Sequence, residues 1–528
     1  MAKSGSKGTI IIAGPGAGKT HNMVAKIIDA LPLLSGCRYL AVITYTNSAT
    51  NNILDRLSKK IVIPNNLFVG TIHSFLNRFI VVPFSSFNPE PVGQEKIFMQ
   101  CGIDDVFLHV EKSKAADKRS KTPEAISKAK AGIKKRLNTL GYITFDQTLS
   151  IAAECMSNIE IARIVANRLQ YLFVDEFQDS GNAVFNIIEA IRKQSKTTIY
   201  CVGDPEQYIQ SFDSSIRSFS NIPILKAAGS SGYQVEINNC NYRSSKNIAD
   251  FLNNFNGRQF GGEKFSQIAL SKETSEPKIA SEELIYFIAG NNTVTPIITV
   301  FYKLCEQCGV ELPDRCIIAK KKDVINRIIA AVGNRYKDPK KSTSVLPIRA
   351  IQDTLLTTLQ LDTSKFCAQY SSDVNTLRKY SIAIFKAINN GAIKDENTFG
   401  NFVQDVLGLK IKAGLPVKIE NLKFDIRHEQ IGNAVTVATI HTIKGLEAPA
   451  VLAIAKTEEE LLLWIEASQS ERDKKRTNET TDYPRLGYVA FSRAEKLLCI
   501  ACLQPVSTET LKKLEDLSVF IHSQFSGS

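Results

Sequence analysis

Ala13-Gly-Pro-Gly-Ala-Gly-Lys-Thr20 is a glycine loop closed by a lysine and a hydroxyl, and it follows the apolar run Thr9-Ile-Ile-Ile12. Glycines let backbone N–H groups converge on an anion, and a helix beginning near Lys19 adds the positive end of its dipole. In such a cradle Gly14, Gly16 and Gly18 wrap a phosphate chain, Lys19 reaches the β- and γ-phosphates, and Thr20 holds Mg²⁺. Tyr171-Leu-Phe-Val-Asp-Glu176 is a buried-type run ending in two carboxylates. Beside a phosphate loop, Asp175 suits the cation and Glu176 suits the water that attacks the γ-phosphate; taken alone, such a pair serves equally well as helix caps. In Cys201-Val-Gly-Asp-Pro-Glu-Gln207 the amide of Gln207 can both donate and accept toward that phosphate, or close an ordinary turn. Arg243 and Arg493 carry the fixed donor fork that suits charge on a transferring phosphoryl group, and each reads equally as half of a surface ion pair.

These groups need strands to carry them. Strand-like runs are expected at 9–12, 39–43, 67–69, 171–174, 197–202, 236–238, 297–302, 316–319, 435–439, 451–455 and 497–501. Helical patterns fill 22–31, 49–60, 247–255 and 281–288, dominate 94–160, and cover most of 324–428. Residues 471–481 are charged and polar and read as an exposed loop. Two α/β blocks, each with an insertion, is the organisation this implies. Ligands of parallel sheets sit at the carboxyl ends of the strands, where these loops fall.

With 528 residues the chain is expected to form several domains. A net charge of +12 favours a polyanionic partner. Between Lys112 and Arg136, ten Lys/Arg face only Asp117 and Glu124, which fits either a solvated helix face or a phosphate backbone. No apolar run is long enough to span a membrane and no secretory leader is visible, so a cytoplasmic protein without a membrane partner is expected. The cysteines are scattered. Cys305, Cys308 and Cys316 form either half of a zinc site or a group of buried thiols, and no second ligand pair lies nearby.

Taken together, the phosphate loop, Thr44-Tyr-Thr-Asn47, Gly70-Thr-Ile-His-Ser-Phe75, Val174-Asp-Glu-Phe-Gln-Asp179, Gly203-Asp-Pro-Glu-Gln207, Asn241-Tyr-Arg-Ser244, Thr439-Ile-His-Thr-Ile-Lys-Gly-Leu-Glu447 and Tyr488-Val-Ala-Phe-Ser-Arg-Ala494 resemble, in order, the motor core of the UvrD/Rep/PcrA-type superfamily 1A DNA helicases. The resemblance implies an α/β fold of two RecA-like P-loop motor domains with mainly helical insertions. Residues 1–83 and 161–235 would form motor domain 1A, 84–160 the helical insertion 1B, 236–323 and 431–528 motor domain 2A, and 324–430 a reduced helical insertion 2B. ATP would lie between the motor domains. Domain 1A would supply Lys19, Thr20, Asp175, Glu176 and Gln207; domain 2A would supply Arg243 and Arg493 as arginine fingers and Glu447 near the ribose and phosphates. Tyr242 matches the family tyrosine that stacks on adenine. Thr46, Asn47, Thr71, His73, Ser74, Phe212, Thr439, His441 and Lys444 match the single-strand track, with Phe212 available to stack on a base. The resemblance also implies 3′→5′ travel.

Three departures from the family pattern stand out. Only ten residues precede Ile11 and Met1–Thr9 contains no glutamine, so adenine selectivity is expected either to be weak or to rest mainly on Tyr242. The interval from Arg243 to His441 is short, which bears on unassisted duplex unwinding, and the chain ends soon after the last motif without a recognisable nuclease or docking tail. A compact chain of this kind is similar to the helicase-like components of Gabija-type antiviral systems, and the same resemblance describes a stand-alone accessory repair helicase. The cofactors implied are ATP and Mg²⁺. The partners implied are single-stranded or partly duplex DNA and, on the Gabija reading, an ATP-regulated nuclease in a hetero-oligomer. Two functions follow: an ATP-driven strand translocase or helicase, and a regulatory ATP- and DNA-binding sensor with little unwinding of its own. A kinase using the same loop would leave the two arginines and the 439–447 segment without a task.

Overall fold

The computed structural model describes residues 8–61, 63–87, 99–101, 122–139, 142–210, 216, 218–280, 285–338, 347–361, 363–372, 374–411, 434–474 and 483–522. The chain divides into two compact units. The larger comprises Met1–Val310, Ile318–Val324 and Thr439–Ser528, and the smaller Glu311–Ile317 and Ile325–Ala438.

The first sheet of the larger unit grows from short runs of branched residues that are apolar on both faces. Its strand order is Leu67–Thr71, Tyr39–Thr44, Leu169–Val174, Thr198–Gly203, Gly8–Ala13 and Tyr233–Asn238, and every neighbouring pair is parallel. Alternation along each strand sends Ile10, Ile12, Ala41, Ile43, Leu172 and Val174 into one core, and Ile11, Ala13, Leu40, Val42, Phe173 and Val202 into another. Helices Lys19–Ala30 and Asn47–Ser58 cover the second core through Met23, Val24, Ile27, Ile53 and Leu57. Helices Phe145–Ser157, Ile159–Arg168 and Gly181–Arg192 cover the first. Burying one such isoleucine contributes about 1.5–3 kcal/mol, and the sheet is thereby a rigid base for the loops at its carboxyl edge.

A second run of parallel strands, Ala448–Ala455, Ala494–Cys502, Ile285–Ala289 and Val519–His522, lies in the same unit. The two sheets are those of a two-domain P-loop motor of the RecA-like type, as the motif order implies. In the smaller unit, helices Pro347–Leu359 and Val374–Asn389 pack around Ile351, Leu355, Phe366, Leu377, Ile384 and Phe399.

Three local expectations are corrected. Residues 297–302, expected as a strand, lie in helix Thr295–Gln307, where Ile297, Ile298, Val300, Phe301, Leu304 and Cys305 are buried at helical spacing and Pro296 opens the first turn. The β-branched run masks that period. Within 281–288, expected as helix, Ile285–Ala289 is a strand, because its apolar run is covered by parallel neighbours on both sides; 281–284 lie outside the described residues. Of the expected loop 471–481, Gln469–Asp473 is a helix whose Arg472 is fully buried, and 475–482 lie outside the described residues. The basic run forms helix Pro123–Thr139 in its second half, its first half lying outside the described residues. Cys305 lies on helix Thr295–Gln307 and Cys316 on strand Arg315–Ala319, both buried.

Candidate nucleotide and nucleic-acid site

The first sheet ends its Gly8–Ala13 strand in the glycine loop, and the helix restarts at Lys19. Gly16 and Gly18 take φ of 71° and 70°, a region that side chains other than glycine strain to enter. Gly16 also has no room for a side chain, since a Cβ there would sit 2.3 Å from Asn241 Oδ1. The Lys19 ammonium bridges the loop, donating to the Ala13 and Gly14 carbonyls at 3.2 and 3.3 Å. The loop has the form of an anion cradle; Lys19 lies close enough to Asp175 to act on its charge, and Thr20 and Asp175 carry hard oxygen donors of the kind that suit Mg²⁺.

Strand Leu169–Val174 delivers Asp175 and Glu176 to this cradle. The Asp175 N–H donates to the Ile43 carbonyl at 2.9 Å, and Asp175 Oδ1 accepts from the Glu176 N–H at 3.0 Å. Glu176 adopts φ 48°, a sharp exit from the strand that turns its side chain toward Gln178, whose amide donates to it. Burial, joined by the Glu176 charge and opposed by Lys19, pushes the Asp175 carboxyl up to about 7. Burial acts on Glu176 in the same direction, but Lys19, Lys444, the Gln178 hydrogen bond and Arg493 outweigh it and hold that carboxyl below its ordinary value. Neighbouring carboxylates are thus driven apart, one favouring the proton and one ionised.

Strand Thr198–Gly203 presents Asp204 and Gln207. Asp204 accepts from the Gln207 amide at 2.8 Å and from the Tyr488 hydroxyl at 3.3 Å, and Gln178 Oε1 accepts the Asp204 N–H at 3.1 Å. Across this face come the arginines. Arg493, 2 % exposed, donates to Gln207 Oε1 at 3.3 Å, to Ser492 Oγ at 2.9 Å and to the Val489 carbonyl at 3.0 Å. Burial, with Arg243 beside it, brings its guanidinium down to about 9. Arg243 pairs with Glu447 and donates to the Ser492 carbonyl at 3.0 Å. Tyr242 stands over the loop, its ring 3.9 Å from the position of a Gly18 Cβ. Lys444 pairs with Asp179 and donates to the Gln207 carbonyl at 2.9 Å, which places its ammonium beside the carboxylates of this cleft.

Of the expected strand-track residues, Thr46, Thr71 and Thr439 each cap the helix that follows a strand. Thr46 caps helix Asn47–Ser58 by accepting the Ala49 N–H at 3.1 Å, which leaves Asn47 exposed at the first turn. Thr71 accepts the Ser74 N–H at 3.3 Å and its hydroxyl lies 3.0 Å from that of Ser74. Thr439 repeats the arrangement, accepting the Thr442 N–H at 3.3 Å with the two hydroxyls 2.9 Å apart. The Thr71 and Thr439 caps are each followed by an Ile-His pair in which the isoleucine is buried; His441 is exposed. Phe212 lies outside the described residues.

Two features escaped the sequence reading. Phe145, 43 % exposed, meets His73 edge-on at 5.1 Å, and burial lowers the His73 pKa with Asp146 opposing. The signal was an aromatic directly after the Thr144 cap of an apolar helix. Next to Gln207, buried Glu206 is held by Arg258 at 2.9 Å, Arg472 at 3.1 Å and Arg485 at 3.3 Å, while Asp473 binds Arg258 at 2.9 Å and also Arg485. Burial pushes the Glu206 carboxyl up, yet the three guanidiniums hold it down at about 2. Arg258 is more than 200 positions from Arg472 and Arg485, and no local pattern joins it or Glu206 to them.

A P-loop cradle, a split carboxylate pair and two arginines at its mouth define a nucleotide-driven motor, and the chain belongs to the UvrD/PcrA-like superfamily 1A helicases. An AAA domain model matches residues 2–213 and a UvrD-like helicase C-terminal domain model matches 348–504. The chain is 22 % identical to the ATP-dependent DNA helicase PcrA of Staphylococcus epidermidis over 93 % of its own length and 80 % of that protein's. It is 25 % identical to the Gabija protein GajB of Bacillus cereus over 47 % of this chain and 46 % of that one. A probable DNA helicase II homolog of Mycoplasma capricolum is 27 % identical over 46 % of this chain and 38 % of its own.

Proposed function

We propose that this chain is a single-stranded DNA translocase and helicase, moving 3′→5′, in which ATP hydrolysis between two motor domains drives stepping. The observation that carries the reading is the contact at 3.3 Å of Arg493, just before strand Ala494–Cys502 of the second sheet, with Gln207, just after strand Thr198–Gly203 of the first. On this reading residues 1–83 and 161–235 form domain 1A, 84–160 insertion 1B, 236–323 and 431–528 domain 2A, and 324–430 insertion 2B.

Lys19 leaves its carbonyl partners for the β- and γ-phosphates, and Glu176, kept ionised by the cations around it, accepts the proton of the attacking water. Thr20 and Asp175 would hold Mg²⁺, which would offset phosphate charge. Gln207 reports the γ-phosphate, and Arg493 and Arg243 stabilise the charge that develops on it. Glu447 orients Arg243, and Tyr242 stacks on the base. Thr46, Asn47, Thr71, Ser74, Thr439 and His441 hold phosphates of the strand, His73 with Phe145 offers a stacking surface, and Lys444 links the strand-side turn to Asp179.

The test is ATP turnover with and without single-stranded DNA. Wild type is expected to respond strongly to the strand and Lys19→Ala to lose turnover with strand binding kept. Equal rates in wild type with and without DNA overturn the motor reading.

The similarity to GajB favours a second reading, an antiviral role in which this chain controls an ATP-regulated nuclease. Strand displacement by the isolated protein separates the two. Robust unwinding alone counts against a sensor dependent on its partner.

A further inference from the structure

Every carbonyl from Ala13 to Ala17 accepts a hydrogen bond. Lys19 takes Ala13 and Gly14. Asn238 donates to Ala17 at 3.1 Å, the Tyr242 N–H donates to Gly16 at 2.9 Å, and the Gln267 amide donates to Pro15 at 2.9 Å. A carbonyl aimed at the phosphates would set a partial negative charge against them, so the donors that hold Pro15, Gly16 and Ala17 bear on whether the loop can hold an anion.

Gln267 is the unexpected member. It is 2 % exposed, its amide also donates to the Cys240 carbonyl at 3.2 Å, and its Oε1 is buried with no partner among the described residues. Two carbonyl acceptors fix the amide orientation, because a flip would set oxygen against oxygen. The loop accommodates it closely, since a Cβ at Gly14 would lie 2.5 Å from its Cδ. Its backbone is pinned on both sides by Asn253, with the Gln267 N–H donating to Oδ1 at 2.8 Å and Nδ2 donating to the Gln267 carbonyl at 2.9 Å. Asn253 caps helix Lys246–Leu252, whose start is tied to the second sheet: the Ser245 N–H donates to Glu495 at 2.7 Å and the Ser244 hydroxyl to Ala494 at 3.1 Å. Those acceptors directly follow Arg493.

We infer that Gln267 is a positioning residue that shapes the phosphate loop from the second motor domain, so that grip on the nucleotide depends on the cleft being closed. The inference rests on the proposed ATP site. Opening the cleft withdraws Gln267 from Pro15 and the Tyr242 N–H from Gly16, which frees those carbonyls to rotate and loosens the cradle as the arginines depart.

The test uses the full chain with Gln267→Met, which keeps length and packing and removes the donor. ADP affinity is measured by calorimetry with Mg²⁺, alongside KM and kcat for DNA-stimulated ATP turnover, oligothymidylate affinity without nucleotide, and the melting midpoint. The expected result is an ADP Kd and an ATP KM each raised about tenfold, the scale of one net hydrogen bond, with kcat and oligothymidylate affinity within about twofold. Gln267→Glu, which fills the same space and cannot donate when ionised, is expected to match or exceed that loss. Unchanged Kd and KM in Gln267→Met overturn the inference. So does a parallel loss of kcat, strand affinity and melting midpoint, which marks a packing residue only. Absence of nucleotide binding in wild type defeats the site reading itself, a separate outcome.

Discussion

Arg493 is buried, carries a guanidinium lowered to about 9, and touches Gln207. A side chain of that kind is held ready for an anion, and its fork geometry matters as much as its charge. Arg493→Ala is expected to lower kcat by about 10²–10³-fold while single-strand affinity stays unchanged, and Arg493→Lys to keep the fold without restoring turnover. Steady-state turnover with strand titration decides it, and unchanged kcat in either variant removes the role. At this scale much was legible beforehand. Lys19, Asp175, Glu176 and Gln207 lie in short loops after apolar runs, where spacing alone implies their company. The place of Lys444 at Asp179 was not legible, because a lysine in a strand-side motif carries no mark of which way its long stem turns.

The elements follow the same division. Parallel strands with near-continuous branched apolar runs are visible in the sequence, whereas 297–302 and 285–289 were exchanged between strand and helix because short apolar runs fit both periods. The Glu206 cluster shows what no window can contain. It joins the loop after one strand to helices Gln469–Asp473 and Tyr483–Phe491, through partners more than 250 positions away such as Arg472. Breaking a buried pair leaves an unmatched charge, so Glu206→Gln is expected to cost about 3–5 kcal/mol of stability at neutral pH. Glu206 has a depressed carboxyl, about 2 against an ordinary 4.5. Its contribution is therefore complete above pH 4.5 and is lost as pH falls toward 2. Melting midpoints across that window should fall steeply in wild type and less so in Glu206→Gln; parallel curves would refute the assignment.

For the whole molecule, a net charge of +12 makes single-strand affinity salt-dependent under the proposed function. Contact with about 5–7 phosphates predicts a log–log slope near −4, from about −0.7 per phosphate. A flat titration would argue against backbone binding. No helix among the described residues is long and apolar enough to cross a membrane. The paired Thr-capped turns at Thr71 and Thr439 have a consequence for direction. Their hydroxyl spacings, 3.0 and 2.9 Å, and their cap distances, both 3.3 Å, are nearly identical. Turns so alike in local geometry offer matching hydroxyl pairs. If these turns hold the strand, thermal motion without nucleotide would carry the protein either way with equal ease. Directed motion would then arise from the order in which the cleft loosens one foothold before the other.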